Sequence, residues 1–131
     1  MYAFSGKSLQ KLDGVHPDLV RVAKRVITKS PVDFGISEGV REYARQVELV
    51  EQRKSTTLHS KHLIQESTGY AHAIDVFAYI DGKAVWQPKH YGPIVQAFIT
   101  ESAVLGVQLR FGHLWKTFQD SAHIELNSRF Y

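Results

Sequence analysis

The chain has 131 residues, 44% hydrophobic and 22% charged, with a formal net charge of +3 and a sequence pI of about 9.2. That length supports a core without covalent staples, and the ordinary apolar share argues against a long disordered tail. With no cysteine, disulfides and thiolate-bound metals are excluded, while the scattered lysines and arginines favour an anionic polymer such as a cell wall over nucleic acid.

Met1 to Lys7 lacks a basic start followed by an apolar stretch, so no secretory signal peptide is expected. No run approaches the roughly 18 apolar residues of a membrane span, so stable membrane insertion is not expected either. His16-Pro17-Asp18 opens a helix, with Leu19, Val20, Val22, Ala23, Val26 and Ile27 as its apolar face and Ser30-Pro31 as its end. Asp33 to Gly39 reads as a short strand leaving the core. Glu42 to Arg53 reads as a second helix with Tyr43, Val47 and Val50 on one side, and residues 54–72 as a polar loop. Ala73 to Ile80 is a buried strand, Asp81-Gly82 a hairpin turn and Lys83 to Trp86 the returning strand.

Tyr91 to Leu105 forms a third helix, with Ile94, Val95, Phe98, Ile99 and Leu105 inward and Gly106 as its cap. Val107 to Phe111 alternates as a strand, His113 to Gln119 reads as a loop or short helix, and Ala122 to Leu126 closes as a strand. This order predicts an α+β fold in one domain, 1–131: a small, mainly antiparallel sheet packed with about three helices.

Two segments stand out chemically. One runs from Ser60-Lys61-His62 to Ala73-Ile74-Asp75; the other is Asp120-Ser121-Ala122-His123-Ile124-Glu125. Two histidines and one carboxylate make a zinc site with an open position, and a further carboxylate can serve as general base. Asp75 sits in an apolar strand, where a carboxylate is costly unless paired or bound to a cation. His123 and Glu125 share one strand face. Each residue alone also has a plain reading: a solvent-facing edge or ion pair for Asp75, a structural hydrogen bond for His123, an exposed loop for His62.

Taken in order, Gly39-Val40-Arg41 with Gln46, Ser60-Lys61-His62, Ala73-Ile74-Asp75, Leu109-Arg110-Phe111-Gly112, Trp115 and Asp120-x-x-His123-x-Glu125 resemble the zinc D-alanyl-D-alanine carboxypeptidase family. Within it, the likeness is to small phage endolysins that act as L-alanyl-D-glutamate endopeptidases. The resemblance implies a Hedgehog/DD-peptidase-like fold, Zn2+ held by His62, Asp75 and His123, Asp120 as catalytic base and Arg41 as the holder of a substrate carbonyl or carboxylate. Ser60 would lie just outside the metal ligands, Glu125 would orient one of them or face solvent, and Trp115 would line the site or pack in the core.

The implied substrate is bacterial peptidoglycan. The implied setting is a monomer kept in the host cytoplasm until a holin releases it to the cell wall. A carboxypeptidase or dipeptidase that cuts a different bond is the alternative, followed by a non-catalytic wall-binding module.

One departure concerns spacing. In the resembled pattern the first histidine precedes the aspartate by seven positions, which here is Thr68, a poor ligand. We therefore read residues 63–68 as lying around an insertion that leaves His62 in place, with His59 or His72 as alternatives.

Overall fold

The structure, a computed structural model, describes residues 1–116 and 119–131. In chain order its elements are α1 (Gly6–Lys11), α2 (Pro17–Lys29), β1 (Asp33–Glu38), α3 (Tyr43–Glu51), β2 (Ile64–Gln65), β3 (Tyr70–Ala71), β4 (Ala73–Ile80), β5 (Lys83–Val85), α4 (Gly92–Leu105), β6 (Leu109–Phe111) and β7 (His123–Leu126). The fold is α+β, with a mainly antiparallel sheet. No helix among the described residues is long and apolar enough to cross a membrane.

β4 organises the molecule. β1 pairs along one edge, from Asp33↔Tyr79 to Glu38↔Asp75. The other edge is shared: β7 pairs with Ala73 to Asp75 and β5 with Ala78 to Ile80, while β6 extends the sheet beyond β7. The Tyr91 hydroxyl splices into the β4–β5 ladder, accepting from Ala78 N at 3.2 Å and donating to Val85 O at 2.8 Å. Successive side chains alternate across the strand. Ile74, Val76 and Ala78 enter the core with Leu19, Val22 and Val26 of α2 and Ile94 and Phe98 of α4. Each large aliphatic there contributes about 1.5–3 kcal/mol by burial. The alternate residues, Asp75 among them, face the other way and are free to carry chemistry.

Several expectations are corrected. A fourth helix, α1, precedes α2. Ser5 caps it by accepting from Ser8 N at 3.2 Å, and the Ser8 hydroxyl accepts from Ile36 N at 3.0 Å, tying the helix to β1. On α3 the buried residue is the polar Gln46, while Tyr43 is exposed. On α4, Ile99 is exposed and Glu101 and Ser102 are buried, because Glu101 accepts from Arg25 Nε at 2.7 Å. The polar 54–72 stretch contains the β2–β3 hairpin. The two late strands begin at Leu109 and His123 rather than two and one residues earlier. Where a loop or short helix was expected over 113–119, a 3-10 turn runs over Gly112–Leu114, and Thr117 and Phe118 lie outside the described residues.

Candidate metal centre and cleft

The site starts as a row across the sheet. Glu38, Asp75 and His123 are register partners on β1, β4 and β7. A β-bulge makes the row possible. Ile36 pairs with Val76 and faces the core, yet Glu38 pairs with Asp75, so Ser37 is the extra residue that turns Glu38 to the opposite face. The Ser37 hydroxyl donates to Asp75 O at 3.2 Å.

His62 arrives from outside the sheet. Ser60 Oγ accepts from His62 N at 3.1 Å, and His62 O accepts from Arg41 N at 2.9 Å. The thirteen positions between His62 and Asp75 are absorbed by the β2–β3 hairpin. Its turn uses Gly69 at φ 77°, and its base closes with His72 N donating to Lys61 O at 2.8 Å. The insertion is therefore a ribbon between His62 and Asp75, and both residues line the same cleft.

Both rings have their outer nitrogens fixed. His62 Nδ1 donates to Gly39 O at 2.8 Å, and His123 Nε2 donates to Glu125 Oε1 at 2.8 Å. The remaining nitrogens, His62 Nε2 and His123 Nδ1, point at the same oxygen, Asp75 Oδ1, at 3.1 and 3.2 Å. One ligand atom from each of the three residues lies within 4.8 Å of the others. Two ring lone pairs and a carboxylate oxygen repel one another unless a cation or a proton sits among them.

The charges around the rings act in the same sense. Burial alone pulls the His123 ring down, but Asp75 and Glu125 outweigh it and lift it to about 9. Burial pushes Asp75 up, and the hydrogen bonds from His123 and His62 reverse that, holding it well below the usual carboxylate range. The residues present fit a divalent metal of the zinc type, with two imidazoles, one carboxylate and no competing thiolate.

Asp120 lines the same cleft, whose volume is about 440 Å³. Burial raises its carboxyl, and the charge of Asp75 adds to the effect against the smaller pull of His123. Asp120 is set by its backbone: its N–H donates to Gly112 O at 3.1 Å, and its carbonyl accepts from His123 N at 3.1 Å. A Cβ at position 112 would overlap the Asp120 carbonyl, so Gly112 is what lets the two segments cross. The Trp115 ring lies 5.4 Å from the His123 ring and walls the cleft beside it.

Arg41, Ser60 and Glu125 also reach the cleft, so every sequence-selected site residue gathers in one place. His59 lines the rim without joining the ligand group. His72 is turned elsewhere, with its Nε2 at 2.7 Å from Thr68 Oγ1.

Sequence reasoning missed Glu38. Its carboxylate accepts from Arg41 Nε and Nη2, each at 2.6 Å. It also gave Gln46 no role, although Gln46 accepts from Arg41 Nη1 at 2.7 Å. The available signal was an acid three residues before Arg41, but the bulge that turns it inward leaves no mark in the hydrophobic pattern.

Comparison with known proteins adds three findings. The profile of the phage L-alanyl-D-glutamate peptidase family matches residues 1–131. The chain is 32% identical over 123 residues to the L-alanyl-D-glutamate peptidase of Escherichia phage T5, covering 91% of this chain and 85% of that one. The crystal structure of the Serratia marcescens L-Ala D-Glu endopeptidase ChiX superposes with a TM-score of 0.89 at 39% identity, covering 98% of this chain and 92% of that one.

Proposed function

Since the chain belongs to the phage L-alanyl-D-glutamate peptidase family, we propose that residues 1–131 act as one zinc peptidase domain, with His62, Asp75 and His123 holding the metal and Asp120 moving the proton. The protein is a hydrolase, a peptidoglycan endopeptidase of the phage endolysin type. The observation that carries the assignment of residues is the convergence of His62 Nε2 and His123 Nδ1 on Asp75 Oδ1, each ring held by a partner on its far side.

Zinc, when bound there, lowers the pKa of a coordinated water toward about 7 and polarises the scissile carbonyl. The residues of the chain do the rest. Asp120, raised by burial yet open to the cleft, accepts a proton on its carboxylate and returns it to the leaving amine. Arg41 offers N–H groups to an oxygen of the substrate. Glu125 keeps the His123 lone pair inward, and Trp115 shields that ring. Ser60 holds the turn that presents His62.

The substrate is a stem peptide of peptidoglycan, cut between L-alanine and D-glutamate. The protein works as a monomer. It waits in the host cytoplasm for a holin to open the way to the wall, and host lysis follows.

Mass analysis of fragments released from purified peptidoglycan tests the bond. New termini at L-alanine and D-glutamate are expected. Release of terminal D-alanine alone would return the protein to the carboxypeptidase reading. In the same assay Asp120→Asn keeps its zinc and loses roughly 10²- to 10⁴-fold in rate, the scale of a general base. Wild-type rates from that variant would remove Asp120 from the reaction.

A further inference from the structure

The Arg41 side chain is 10% exposed and already gripped. Nε and Nη2 donate to the two oxygens of Glu38, and Nη1 donates to Gln46 Oε1. A guanidinium carries five N–H groups, and these bonds take three. Among the described residues this leaves one N–H on each terminal nitrogen. Nη2 lies 3.8 Å from Asp75 Oδ2, so the unused end of the fork is beside the metal-ligand group.

The grip is built from several directions. The bulge at Ser37 turns Glu38 to the site face. Gln46 is fully buried, and its Nε2 donates to Ser55 Oγ at 2.9 Å and Thr57 O at 2.6 Å, tying Arg41 to the loop that walls the cleft. Without the Glu38 charge, Asp75 is the next carboxylate along, and the guanidinium is drawn toward a metal ligand.

Resting on the reading of the bond given above, we propose that Glu38 is a positioning residue. It holds one side of Arg41 so that the two remaining N–H groups receive the free carboxylate of the glutamate on the leaving side. Glutamate within a peptide keeps one carboxyl free whichever one is linked onward. Two N–H groups of a cation match that anion better than a carboxamide. Glu38 thereby makes the cleft selective for an acidic residue after the scissile bond.

The test uses two soluble peptides, one with free glutamate after L-alanine and one with its carboxamide, cleaved by wild type, Glu38→Gln and Glu38→Asp. Wild type favours the free acid. In Glu38→Gln the KM for the acid rises about tenfold, the scale of one charge-assisted hydrogen bond. The change in kcat is smaller than that in KM, and the preference for acid over carboxamide shrinks. Glu38→Asp, which keeps the charge on a shorter arm, recovers part of that preference. Circular dichroism and zinc content verify that both variants are folded.

An unchanged preference in Glu38→Gln would reduce Glu38 to a purely structural ion-pair partner of Arg41 and overturn the inference. A lower KM for the acid would overturn it differently, by showing that Glu38 competes with substrate for Arg41. Wild type cleaving neither peptide would overturn the reading of the bond itself, and this inference with it.

Discussion

Among the described residues, two pairs of histidine rings pack edge to face at almost the same spacing. His62 and His123 are 5.1 Å apart edge to face, and His16 and His72 are 5.5 Å apart edge to face. Among the described residues, the first pair belongs to a group that could hold a metal, and the second does not. Its outward nitrogens are taken by Gly39 O and Glu125, so its lone pairs turn inward onto Asp75. In the second pair, His16 Nδ1 accepts from Asp18 N at 3.0 Å as a helix cap, and His72 Nε2 meets Thr68 Oγ1. Tyr70 packs against His16, and Tyr131 packs against both rings. What a histidine does here is decided by the partner of its far nitrogen, not by the nearness of another ring.

The largest contrast is expected from deletion. His62→Ala or His123→Ala should lose the metal and bring hydrolysis to background. His72→Ala should keep about one zinc per chain. Metal analysis of protein purified without chelator, beside a peptidoglycan turbidity assay, decides the matter, and zinc loss in His72→Ala would erase the distinction between the pairs.

Next in size is the partner of the far nitrogen. Glu125→Gln should weaken zinc by roughly 10- to 100-fold, the usual cost of losing a group that orients a ligand. Thr68→Val, its counterpart at His72, should leave zinc affinity unchanged. Competition with a chromogenic chelator reads both.

One ring from each pair, His72 and His123, should also titrate in opposite directions in metal-free protein. Burial, together with the charges of His16 and Lys61, lowers the His72 ring. The unfolded chain therefore takes up that proton more readily, and stability present above about pH 6.5 declines as pH falls below it. His123 is raised to about 9. Its contribution is complete below the unfolded value of about 6.5 and is lost as pH rises through about 9. Imidazole NMR should find His72 titrating low and His123 high, and zinc should abolish the His123 transition while leaving that of His72. A His123 ring that titrates near 6.5 without metal would contradict the geometry given for Asp75 and Glu125.

The smallest effect belongs to His16. Replacement by Ala removes the cap of α2 and should cost about 1 kcal/mol in denaturant unfolding, with zinc content and rate unchanged. A fall in rate would tie the second pair to the site.

The three residues that gather as a candidate ligand group were legible because their surroundings are local: a Ser-x-His turn, an acid inside an apolar strand, and a His-x-Glu alternation. α2, β4 and α4 announce themselves in the same way, by apolar periodicity next to a capping or turn residue. What escaped depends on contacts that no local pattern records. Glu38 turns inward through one extra residue in β1. The α1 helix is six residues long and buries only Ser8, so it has no apolar stripe to read. Gln46 occupies the buried position of α3, where periodicity puts an aliphatic, because its amide has three partners waiting: Arg41, Ser55 and Thr57. The hairpin within 54–72 was hidden because its strands are two residues each.

The row Glu38–Asp75–His123 has a consequence for the order of events in folding. Asp75 and His123 are 48 positions apart, and they become neighbours only when β7 closes onto β4. Helices such as α2 form from local contacts, whereas pairing so distant requires closing a long loop and comes later. A refolding chain should thus regain most of its helical signal while it is still blind to zinc. Metal capture should then mark the final consolidation of the sheet, and partly folded molecules should carry no hydrolytic activity.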